Sequence, residues 1–133
     1  MKKRAKWLAL AAASALGCMT LAACAPTNLD KAYKKMSAEG YKVDIIAENK
    51  DDDEGLLIAR KSESLTERDV IVACLFENKE DAKEFYEEVK YNAGIFLASL
   101  AIYGVDAEDV GSPTRDGKWV YFGSSDAIED FTD

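Results

Sequence analysis

The sequence predicts an α+β fold, a two-layer sandwich in which a mostly antiparallel four-stranded sheet packs against helices on one face in the order αβββαβα. Three observations predict it. An early pair of alternating segments reads as a strand hairpin, a continuous apolar run reads as a central strand, and helical spacing appears before, between and after them with only one plausible crossover.

The elements follow in order. Thr27-Asn28-Leu29-Asp30 is a helix-start signal in which Thr27 caps and Asp30 stands three residues on. Leu29, Ala32, Tyr33 and Met36 then keep helical spacing, Lys31, Lys34, Lys35 and Glu39 take the other side, and Gly40 ends the helix. Tyr41, Val43 and Ile45 alternate with Lys42 and Asp44 as in a strand, and an acidic turn over 49–55 leads to a second strand over 56–61. After a polar connection, residues 70–76 are uninterruptedly apolar and β-branched in part, as in a central strand covered on at least one face. Asn78 caps the next helix, with Asp81 three residues later and Glu80, Asp81 and Glu84 suiting its positive end. Its stripe of Ala82, Phe85, Tyr86, Val89, Ala93, Phe96 and Leu100 is expected to continue through Gly94 to about Tyr103. A turn at Arg115-Asp116-Gly117, a strand over 118–122 and a short helix capped by Ser124 or Ser125 complete the chain.

The first 23 residues have a different character. Lys2, Lys3, Arg4 and Lys6 precede an apolar run from Trp7, and small residues precede Cys24. The group Leu21-Ala22-Ala23-Cys24 resembles the lipobox of bacterial lipoprotein precursors, with leucine three positions before the cysteine and two small residues between. Cys18 also follows a small residue, Gly17, but Ala15 stands where the leucine belongs. The resemblance implies a signal peptide over 1–23, a diacylglycerol on the Cys24 thiol, and a short tether over 24–26 before a single domain over 27–133. It also implies a location on the extracytoplasmic face of the cell membrane, in the periplasm of a two-membrane cell. A retained signal anchor is the alternative, because the apolar run is at or just under the roughly 17 to 25 residues of a spanning helix. Two or more acyl chains at about 0.8 kcal/mol per buried methylene hold a protein on a bilayer durably.

Composition narrows the chemistry. Removing residues 1–23 takes away four basic residues and no acidic ones, moving the formal charge from −8 to −12. A nucleic-acid partner is therefore disfavoured, and a basic protein or peptide segment is favoured. No histidine occurs, which removes the usual general base and the commonest transition-metal ligand. Cys74 lies inside the apolar run and reads as a small hydrophobe rather than a nucleophile.

Two groups of residues remain as candidate sites. Asp51, Asp52, Asp53 and Glu54 offer oxygen ligands for weak cation binding. They do not form an EF-hand, since Gly55 in the loop's glycine position would put Lys50 and Lys61 at its first and last ligands. Trp119 and Tyr121 form an aromatic ligand surface if they point outward, or a core contact if a helix covers them. No catalytic residue, resident metal or cofactor is assigned. The expectation is a membrane-anchored, noncatalytic interaction or accessory domain, with a small-ligand or peptide binder as the alternative and a carboxylate-dependent hydrolase behind both.

Overall fold

The computed structural model describes residues 25–51, 53–62 and 68–133. The leader, Cys24 and Asp52 lie outside the described residues. Helix α1 spans Leu29–Ala38, and its cap is Asn28, whose Oδ1 accepts the Lys31 amide at 2.8 Å. The cap thus falls one residue later than the Thr27 expected from sequence. Either side chain has the oxygen a cap requires, and this start buries Leu29, Ala32 and Met36 together.

Strands β1 (Lys42–Asn49), β2 (Glu54–Ser62) and β3 (Arg68–Leu75) form an antiparallel meander. Helix α2 (Lys79–Val89) follows, capped by the Asn78 side chain on the Asp81 amide. A short helix α3 (Gly94–Ala98) and two 3-10 turns, Ala101–Tyr103 and Ala107–Asp109, lead to β4 (Thr114–Asp116) and β5 (Trp119–Gly123), and α4 (Ser125–Thr132) closes the chain. The sheet order is β1-β2-β3-β5-β4, antiparallel at every pairing.

The α+β class holds, with three corrections to its details. Among the described residues the sheet has five strands rather than four, because Thr114–Asp116 pairs with β5. The two-residue connection Gly117-Lys118 makes this hairpin, and the φ of +62° at Gly117 suits the first central position of a type II′ turn.

The helices cover both faces of the sheet rather than one, so the layers number three. Leu57, Ala59, Ile71, Ala73, Leu75, Trp119 and Tyr121 form one core with α1 and α4. Ile58, Val70, Val72, Val120 and Phe122 form another with Ala82 and Val89 of α2 and Leu97 of α3. The reason is in the strands: all five residues of β5 are buried, and so is β3 from Val70 onward. Side chains alternate between faces, so both faces are apolar and both need cover.

Third, α2 stops at Val89 instead of continuing to Tyr103. A helix over 79–103 would run about 37 Å, whereas the eight residues of β3 extend about 27 Å. Breaking the helix returns Leu97, Leu100 and Val105 to the sheet, and leaves Tyr91, Ile95 and Ile102 exposed.

The first core is centred on Phe131, fully buried, with its ring edge-on to Trp119 at 5.1 Å and tilted against Tyr121 at 5.5 Å. Phe131→Ala is expected to cost about 3–5 kcal/mol, read as a lower urea midpoint at unchanged slope. A cost below about 1 kcal/mol would mean that α4 is not part of the cooperative unit.

Candidate functional site

At one end of the sheet β1 begins, β2 ends and β3 begins, and each contributes basic side chains where its apolar residues run out. Lys42, Arg60 and Val70 lie on one rung across the three strands, and Lys61 lies opposite Asp69 on the next. Arg60 is on the face of Ile58, beneath the segment that carries the 3-10 turns. The result is a cleft of about 300 Å³, walled by Lys42, Arg60, Lys61, Arg68 and Asp69 from the strands and by Gly104 and Asp109 from that segment.

Arg60 is the organising residue. Its Nη2 donates to Asp44 Oδ2 at 3.2 Å. Its Nε is shut away from solvent with no hydrogen-bond partner among the described residues. A donor left in that state costs about 1–3 kcal/mol. The guanidinium can lie this close because residue 104 has no side chain: a Cβ there would collide with Arg60 Nη1, and the φ of +85° also favours glycine. Lys61 turns to the other face, donating to the Glu39 carbonyl at 3.0 Å and lying over the Tyr41 ring. Among the described residues neither Lys42 nor Arg68 forms an ion pair. Asp69 accepts the Ser124 hydroxyl at 2.9 Å, and Ser124 Oγ in turn accepts the Val70 amide at 3.3 Å.

The residues singled out from sequence are elsewhere. Trp119 and Tyr121 are 4% and 5% exposed beneath Phe131, so they form core and not the outward aromatic surface that was one of their two readings. The Trp119 indole still has a polar role, donating to the Pro26 carbonyl at 2.7 Å, while Ala25 packs against the same core. Asp51 and Asp53 are exposed and Glu54 opens β2, with the Asp51 amide held by Asn49 Oδ1 at 3.2 Å. Among the described residues no group of three or more His, Cys, Asp or Glu side chains is arranged to hold a metal ion. Cys74 is buried, which pushes its thiol up to about 12 and keeps it protonated.

The cleft was missed because its members are far apart in the chain and the overall charge is acidic. A signal was present nonetheless. In a meander, the start of one strand, the end of the next and the start of the third meet at one sheet end, and Lys42, Arg60-Lys61 and Arg68 occupy those positions.

No family model matches the chain, and comparison with curated proteins and with solved structures finds no match either.

Two outcomes are expected. Gly104→Ala should destabilise the fold by about 1–2 kcal/mol from the left-handed backbone alone, with the collision on Arg60 adding to it; an unchanged melting temperature would contradict the close approach. Stability should also fall as pH rises above about 9. Burial raises the Cys74 thiol, raises the Tyr121 hydroxyl to about 12 with help from Asp116, and raises Tyr41 further still with help from its 2.8 Å bond to Asp130. Each group holds its proton more firmly folded than unfolded, so its contribution is complete below the unfolded value and is lost as pH climbs through the folded one. Urea midpoints measured between neutral pH and 11 should decline, and Tyr41→Phe should make the decline shallower.

Proposed function

We propose that the chain is a bacterial lipoprotein whose folded part is a noncatalytic binding domain, held at the extracytoplasmic face of the membrane by lipid on Cys24. The basic head, the apolar run and Leu21-Ala22-Ala23-Cys24 support the anchor. The observation that carries the reading is the hydrogen bond from Trp119 Nε1 to the Pro26 carbonyl, together with Ala25 against the core. A lipid on Cys24 would then be attached to a residue whose immediate neighbour already belongs to the folded body, and the domain would rest close against the bilayer with a fixed end down.

That end is the rung Gly55, Leu75 and Trp119, beside the Gly117-Lys118 turn. From Leu75 to Val70 is five residues of β3, about 17 Å of strand, so the basic cleft would open away from the lipid. No helix among the described residues is long and apolar enough to cross a membrane. In this reading attachment comes from the acyl chains on Cys24. The absence of histidine and the buried, protonated Cys74 favour binding over catalysis, and the Arg60 cleft is the surface through which the domain would act.

Expressed in a bacterial host, the wild-type chain should sediment with membranes and have the mass of residues 24–133 plus acyl chains. Cys24→Ala should leave an unacylated chain. Retention of membrane attachment and processing by Cys24→Ala would overturn the proposal.

A further inference from the structure

The basic cleft sits in a protein of formal charge −8, and that contrast limits what it can receive. Charges more than about 8–10 Å apart are largely screened at physiological salt. A ligand inside the cleft therefore responds mainly to the side chains that wall it, which among the described residues are four basic and two acidic. An extended polyanion would also have to lie along the rest of a net-acidic protein, whereas a small anion would not. The cleft's volume, about 300 Å³, is at the lower end of ordinary ligand sites.

The arrangement of charge sets the valence. Asp69 is already engaged by Ser124, and Asp44 takes Nη2 of Arg60. Lys42 and Arg68 are exposed, share the Arg60 side of the sheet by register, and have no carboxylate partner among the described residues. Two cations without a carboxylate partner among the described residues, beside a guanidinium with donors to spare, match an oxyanion of charge about −2 better than a single carboxylate, and arginine's planar fork suits tetrahedral oxyanions.

We infer that the cleft formed by Lys42, Arg60 and Arg68 under Gly104 is a binding site for a small, doubly charged oxyanion, with a phosphate monoester as the representative ligand. This rests on the binding-domain reading and names the ligand class for that same site, and it does not depend on the anchor. Phosphate oxygens would accept from Arg68 and Arg60 and sit within reach of the Lys42 ammonium, with Asp109 at the wall left to meet a hydroxyl of the ligand. No bond is made or broken.

The test is calorimetric titration of the detergent-solubilised full chain with inorganic phosphate, with glycerol 3-phosphate, and with acetate, all at physiological ionic strength. Saturable binding is expected for the two phosphates, on the order of tenfold tighter than for acetate. Arg68→Gln and Lys42→Gln should each weaken phosphate binding about fivefold or more without changing the melting temperature of the free protein, since both side chains are exposed. Lys118→Gln, at the opposite sheet end, should leave it unchanged. Absence of saturable heat, equal affinity for acetate, or equal loss in Lys118→Gln would overturn the inference. Membrane fractionation of the expressing cells before detergent is added reads the anchor separately, so either claim can fail while the other stands.

Discussion

Strands β3 and β5 are buried along nearly their whole length, on both faces of the sheet, and most of the architecture answers to that constraint. Exposing either face would return side chains worth about 1.5–3 kcal/mol each to water. One face is closed by the two ends of the domain, α1 and α4, which bring Met36 and Phe131 over Trp119 and Tyr121. The other is closed by the long connection from β3 to β4, which brings Phe96 against Phe85 and Phe122. Because β5 lies between β3 and β4, that connection runs to the far edge of the sheet, and α2, α3 and the 3-10 turns are what cover the distance.

Much of this is legible in the chain, and the failures have identifiable causes. The first helix, the hairpin, the central apolar strand and the Asn78 cap are local patterns, and local patterns survive folding here. Sidedness is different. Trp119, Val120, Tyr121 and Phe122 are all apolar, so alternation does not say which pair faces which helix, and a run such as 70–75 shows that a strand is buried without naming what lies on each side. Strand β4 has no pattern to find, since Thr114, Arg115 and Asp116 are all exposed and are held in place by pairing with β5. The site was less legible than the fold. Lys42, Arg60 and Arg68 become neighbours through register alone, and Gly104 gives no hint from sequence that it makes room for a guanidinium rather than a turn.

Arg60 joins the stability of the domain to its proposed use. It pairs with Asp44 across the hairpin, lies against Gly104 in the covering segment, and so connects β1, β2 and the 3-10 region at one point. A residue used this way is held in position before any ligand arrives, and a preorganised guanidinium loses little freedom on binding. The incomplete hydrogen bonding of its Nε is tolerated because the surrounding packing fixes it.

The two outer strands carry a consequence for crowding. Unpaired strand edges invite a neighbour's backbone to add on. Here β4 offers only three residues, all of them polar. On the other side, β1 carries Lys42, Asp44 and Glu48 and loses its regular register between Ile46 and Asn49, where Ala47 takes a φ of +57°. Such edges are poor templates for cross-strand growth. Copies confined side by side on a surface, at local concentrations far above those in solution, would remain separate folded units rather than merge into shared sheets.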